Sequence, residues 1–255
     1  MTALRPKRRL TCLWALAALL ACGLAGPAVA ADVQVAVAAN FTAPGKEIAA
    51  AFEQTTGDHV SLSFGSSGAF YAQIAHGAPF EVFLSADAAR PQKAEQAGFG
   101  VAGTRFTYAV GRLALYSRTP GLVDGRGAVL KGGKFAKLAI ADPKTAPYGQ
   151  AAIETLRHLG LWPAVEPKIV RGSDITQAYQ FTATGAADLG FVALSQVLSS
   201  RGSRWIVPET LHAPIAQQAI LLGPGKGDAA ARAFLAFLKG PQAKAIIRRY
   251  GYGAP

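Results

Sequence analysis

From residue 32 onward, short apolar runs rich in β-branched residues alternate with stretches whose apolar positions recur every three or four residues. The first pattern suits buried strands, the second amphipathic helices. Strands are predicted at residues 33–38, 60–64, 81–85, 113–117, 137–141, 168–170, 189–192 and 219–222, and helices at 44–55, 69–76, 150–159 and 175–182. A glycine follows each of these helices within a few residues, a common way for a helix to end. Such alternation predicts an α/β fold in which each sheet is mixed, mostly parallel and flanked by helices.

Four strand-to-helix junctions share a chemistry. Ala39-Asn40-Phe41-Thr42, Gly65-Ser66-Ser67-Gly68, Ala146-Pro147-Tyr148-Gly149 and Gly172-Ser173-Asp174 are short loops of mostly small or polar residues that open straight into a helix. In an open α/β sheet such loops gather at the carboxyl edges of the strands, where ligands bind. Each presents unpaired N–H groups and the positive end of a helix dipole. Two loops fall in the first third of the chain and two in the middle. Two lobes facing one another across a cleft would let all four helix starts meet. The predicted division puts residues 31–117 and 208–255 in one lobe and 118–207 in the other, with crossings near Thr119-Pro120-Gly121 and Val207-Pro208.

Composition narrows this picture. Arg5, Lys7, Arg8 and Arg9 precede an apolar run over residues 10–26, and Ala28-Val29-Ala30 offers a small-residue cleavage site. Residues 1–30 are therefore expected to be a cleaved signal peptide, which sends the mature chain to the periplasm; a membrane-spanning helix ranks below it. Leu19-Leu20-Ala21-Cys22 resembles a lipoprotein cleavage box and ranks second, because the cut after Ala30 lies at a better distance. The only cysteines, Cys12 and Cys22, belong to this leader, so the mature chain is expected to form no disulfide or thiolate-metal site. What remains has 22 basic and 15 acidic residues, a balance of +7 scattered singly, which argues against a nucleic-acid partner.

Enzyme signatures are missing. The chain contains no G-x-S-x-G, H-E-x-x-H or S-x-x-K, and His59, His76, His158 and His212 stand far apart. No catalytic residue, cofactor or direct metal ligand is expected. Anion capture fits better, since a helix N-terminus can hold a phosphate-like ion without a charged side chain. Asn40, Ser67 and Tyr148 would add side-chain donors. A cage of donors alone suits a fully deprotonated dianion such as sulfate, molybdate or tungstate, whereas phosphate carries a proton near neutrality and would want an acceptor. The competing reading of each loop is ordinary helix capping. Four loops together favour the cage, as does the fact that Asn40 is the only asparagine in the chain. The residues by themselves stop at a small oxyanion.

Five segments resemble the periplasmic molybdate-binding proteins of ABC importers, the ModA family. They are AANFT with its following helix (38–54), FGSSGAFYAQIAHGAPFEVFLSAD (64–87), LAIADPKTAPYGQAAIETLRHLG (138–160), ADLGFVA (187–193) and LKGPQAKAIIRRYGY (238–252). The resemblance implies a two-lobed type II periplasmic-binding-protein fold, molybdate or tungstate as ligand, a membrane permease as partner and a monomeric protein. It also implies that the oxyanion is held by Asn40, Ser67 and the main-chain N–H groups of Tyr148 and Ile175, with Ala39 and Ala86 on the wall. Two positions depart from many members: Asn40 stands where serine is common, and Ala193 where some carry a tyrosine. Asp87, Asp142 and Asp174 are expected to cap or brace loops. Sulfate, thiosulfate or a small organic acid remain alternative ligands, and an enzyme on the same scaffold is the more distant alternative.

Overall fold

The computed structural model describes Thr2 and residues 31–254; the predicted signal peptide, its predicted cut after Ala30 and the alternative at Cys22 lie outside the described residues. Ten strands follow one another as β1 Asp32–Ala38, β2 His59–Gly65, β3 Val82–Ser85, β4 Phe106–Gly111, β5 Leu113–Ser117, β6 Leu138–Ala141, β7 Ile169–Gly172, β8 Leu189–Ala193, β9 Ser203–Ile206 and β10 Ile215–Leu221. Among the described residues, seven helices have eight residues or more: α1 Thr42–Thr56, α2 Ser67–Ala75, α3 Ala89–Gln96, α4 Pro147–His158, α5 Ile175–Thr184, α6 Ala229–Lys239 and α7 Pro241–Arg249.

The strands form two five-stranded sheets, in the orders β2-β1-β3-β10-β4 and β7-β6-β8-β5-β9. In each, three strands pair in parallel, and the fourth and fifth join through antiparallel pairings. Four of five strands therefore point the same way, although half of the pairings are antiparallel. The antiparallel strand comes in each case from a crossing: β5 runs on directly from β4 of the first sheet, and β10 returns from β9 of the second. The two lobes are thus one motif used twice, a repeat that does not show in the residues.

The first crossing corrects the predicted lobe boundary. It falls at Arg112, the single residue between β4 and β5, so a division after Ser117 would place β5 with the wrong sheet. Residues 106–117 read as one apolar run broken only by Gly111-Arg112, which has none of the usual look of a linker. Thr119-Pro120-Gly121 instead turns the chain after β5, within the second lobe. The chain returns between Ile206 and Ile215.

Burial explains why the central strands are the legible ones. Val33, Val35, Ala36 and Val37 of β1 are fully buried, as are all four residues of β6, which is what a parallel strand covered on both faces requires. On the second sheet Leu113, Leu115, Leu138, Ile140, Leu189 and Phe191 pack on one face. Ala114, Tyr116 and Val192 pack on the other. Each fully buried aliphatic or aromatic side chain contributes about 1.5–3 kcal/mol. Gly57 and Gly185, at φ 83° and 85°, end α1 and α5 in the left-handed conformation that glycine alone adopts without strain. The carboxyl ends of β1, β2, β6 and β7 lead into the four polar loops.

Candidate ligand site

All six residues predicted for the site line one cavity between the lobes: Ala39, Asn40, Ser67 and Ala86 from the first, Tyr148 and Ile175 from the second. The cavity is small. Little free space is left between the facing residues, which suits one compact ion.

The donors facing it follow from how the helices begin. At α5 the Asp174 carboxylate accepts from the N–H groups of Thr176 (2.8 Å) and Gln177 (3.0 Å), so that Ile175 N–H, at the helix start, is the one left over. At α4 a proline opens the helix, Gly149 and Gln150 donate back to Ala146 O, and Tyr148 N–H has no protein acceptor among the described residues. Ser67 starts α2, and its hydroxyl oxygen accepts from Ala86 N–H at 2.9 Å. A hydroxyl whose oxygen already receives an N–H has its proton to give elsewhere, so Ser67 Oγ is a donor toward the cavity. Ala86 forms wall only, its N–H being used.

Asn40 differs from expectation. The sequence predicts that its side-chain amide donates to the ligand, yet Nδ2 donates to Gln217 Oε1 (2.9 Å) and Tyr252 Oη (3.0 Å). Both amide hydrogens are thereby used inside the protein. The Asn40 main-chain carbonyl is engaged as well, accepting from Tyr252 Oη (2.7 Å) and Ser195 Oγ (3.1 Å). Asn40 thus anchors the short 3-10 turn of Ala39–Phe41 to the C-terminal segment and to the far lobe, and brings its own first-turn backbone to the wall. Ala193 ends β8 and is buried away from the cavity; Ser195 and Tyr252 do the polar work beside it.

The aspartates act as expected of caps and braces. Asp142 accepts from Lys144 N–H at 3.0 Å, and Asp87 accepts from Arg90 N–H at 3.0 Å and pairs with the Arg90 guanidinium. That guanidinium reaches across the cleft to Lys144 O (3.0 Å), next to a main-chain bond from Gly68 N–H to Thr145 O (2.9 Å). These two contacts join others between the lobes: Ser195 with Asn40 and Tyr252, Thr176 with Ala39, and Gln217 with Tyr148. Sequence reasoning missed Gly68, Arg90, Gln217 and Tyr252 as parts of the site. Three buried tyrosines, Tyr108, Tyr148 and Tyr252, have their pKa raised, chiefly by burial, and stay protonated at any physiological pH.

Residues 33–253 match the model of the bacterial extracellular solute-binding protein family. The chain is 58% identical over 234 residues to the molybdate-binding protein ModA of Rhodobacter capsulatus, covering 91% of this chain and 92% of that one. It is 57% identical over 241 residues to ModA of Azotobacter vinelandii, with 93% and 94% covered. The chain belongs to the ModA family. As a ModA-family protein it also shares its fold with the solved periplasmic molybdate-binding protein of Azotobacter vinelandii, at a TM-score of 0.84 and 44% identity over 88% of this chain and 99% of that one.

Proposed function

We propose that this protein captures molybdate, and tungstate as well, between its lobes in the periplasm and delivers it to the membrane permease of an ABC importer. The observation that carries this reading is a cavity onto which helix starts from both lobes bring N–H and O–H donors, with the one carboxylate on its lining, Asp174, turned to cap its own helix. Ser67, Tyr148 and Ile175 offer N–H groups at three helix starts, and the Ser67 and Tyr148 hydroxyls have oxygens already approached by protein N–H groups. Asn40 braces the wall, with Ala39 and Ala86 completing it. Donors around such a site hold a dianion strongly because the local dielectric is low. Relatives of more than half identity named for molybdate support the choice among dianions. Sulfate, with shorter bonds, would leave some donors unpaired at about 1–3 kcal/mol each.

Titration calorimetry of the protein lacking residues 1–30 tests this. Molybdate and tungstate are expected to bind at least about tenfold more tightly than sulfate. At about a hundred times its dissociation constant, molybdate should stabilise the fold by roughly 2.7 kcal/mol. Equal binding of sulfate would overturn the size argument. Ser67→Ala removes one charge-assisted bond worth about 1.5–3 kcal/mol, so affinity should fall by about ten- to a hundredfold. Because the tyrosines titrate only at strongly alkaline pH, affinity should be flat from about pH 7 to about pH 9; a slope there would mean that a titrating group sits in the cage.

A further inference from the structure

The bond that Arg90 makes across the cleft differs from the other contacts between the lobes named above, which join uncharged groups. Arg90 lies in the first turn of α3, and its guanidinium pairs with Asp87 Oδ2. That carboxylate is itself fixed at the end of β3, because its Oδ1 accepts from Ser85 Oγ (3.0 Å) and from Arg90 N–H (3.0 Å). The Arg90 and Asp87 side chains are 19% and 20% exposed, so water screens them less than a surface pair. The other arm of the guanidinium, Nη2, donates to Lys144 O at 3.0 Å. The next carbonyl along, Thr145 O, accepts from Gly68 N–H (2.9 Å), so the first lobe grips two successive carbonyls of the second. Both belong to the turn before α4. Asp142 closes that turn, accepting at its side chain from Lys144 N–H (3.0 Å) and at its main-chain oxygen from Thr145 N–H (3.2 Å) and Ala146 N–H (2.8 Å). Tyr148, whose N–H is one of the site's donors, follows at once in α4. Arg90 and Asp87 also line a groove that shares Ala86 and Pro147 with the ligand cavity, which puts the grip at the cavity's border.

Resting on the oxyanion reading above, we propose that Arg90 is a positioning residue: braced by Asp87, it latches the turn before α4 to the first lobe and so slows release of the captured ion. A guanidinium suits this task, because its planar fork serves a carboxylate on one side and a carbonyl on another at once, whereas an ammonium is a single point of charge. When the lobes part, Arg90 keeps Asp87, and Lys144 O turns to water. The bond to Lys144 O therefore favours the closed form over an open one without supporting the fold of either lobe. A bond made only once the ion is inside acts on the ion's exit and not on its entry.

Arg90→Ala is expected to weaken molybdate binding about tenfold by calorimetry, as the loss of one hydrogen bond from a charged donor should. The loss should appear as faster release, followed by chasing radiolabelled molybdate with excess unlabelled ion, with the association rate and the ligand-free melting temperature near those of wild type. Arg90→Lys keeps the charge but not the fork, so it should lose nearly as much. Asp87→Asn should also speed release, although it removes a negative charge near a site for a dianion. It should add little to Arg90→Ala, as expected when one residue acts through the other. Simple attraction between Arg90 and the ion gives the opposite pattern: slower association that depends on salt, Arg90→Lys like wild type, and tighter binding by Asp87→Asn. That pattern would overturn the latch, as would an Arg90→Ala protein with wild-type affinity and release. Equal losses of affinity and of ligand-free stability in all three variants would overturn it too, by giving the pair a role in the fold alone. A wild type that binds no oxyanion would sink the cage reading itself; variants that release the ion as slowly as a binding wild type sink only the latch.

Discussion

Replacing Gly68 by valine is expected to weaken molybdate capture by about a hundredfold or more while leaving the ligand-free protein as stable as wild type. A β-carbon at Gly68 would sit 2.8 Å from the Thr145 α-carbon and 3.0 Å from its β-carbon. The first of these is backbone and cannot swing aside, so the lobes must part. With them go the second lobe's donors, Tyr148 N–H and Ile175 N–H. At about 1.5–3 kcal/mol for each hydrogen bond to a charged group, losing both costs roughly 3–6 kcal/mol, or about two to four powers of ten in affinity. The first-lobe donors would remain, so binding should be weak and not absent. Gly68→Ala separates the two effects more sharply. It sits in the first turn of α2, where alanine is a better helix former by about 0.5–1 kcal/mol, so ligand-free stability should rise while affinity falls. Calorimetry paired with thermal melts without ligand reads both quantities. A Gly68→Val protein that binds within about threefold of wild type would show that the contact between Gly68 and Thr145 plays no part in holding the ion.

The contrast between Gly68 and the residues predicted from sequence shows where legibility ends. Fully buried strands such as β6 and β8 announce themselves as unbroken apolar runs, because both of their faces are covered. The edge strands β4 and β9 do not. β4 merges with β5 into one run, and β9 opens on Ser203-Arg204, so neither has the pattern of an isolated buried strand. Site residues at helix starts are legible because their chemistry is local: Ser67, Tyr148 and Ile175 are defined by the loop they end. Asn40 is legible as a position, through its uniqueness, but not as a role. Its partners Gln217 and Tyr252 are 177 and 212 residues away, and nothing in the loop says that its amide is already taken. The Gln217 to Tyr148 bond spans 69 residues and depends on a bulge, and Gly68 matters only because Thr145 lies opposite. Local grammar finds the donors; the network that aims them exists only in three dimensions.

That network makes Asn40→Asp the most damaging single change at the wall. The new carboxylate can accept from Tyr252, whose hydroxyl must then turn from the Asn40 main-chain oxygen, and Gln217 can turn its amide to donate to it, so the buried contacts re-form in the opposite sense. For the ligand, a negative charge would then stand at the edge of a site meant for a dianion. Two unit charges about 4 Å apart repel by about 4 kcal/mol at an effective dielectric of about 20, and a dianion doubles that. Molybdate binding at about pH 7.5 should therefore fall by about ten-thousandfold or more. Binding should return on acidification, with one proton taken up per ion, because the ion can be admitted only once the introduced carboxyl is neutral. Calorimetry in buffers of different ionisation enthalpy counts that proton. The neutral carboxyl would present an O–H, and the charged one an acceptor, so near neutrality the variant should lose less toward hydrogen phosphate, which brings its own proton, than toward molybdate. Wild-type affinity for molybdate in the Asn40→Asp protein near neutrality would mean that the ion does not sit beside this position, and the donor cage would have to be sought elsewhere.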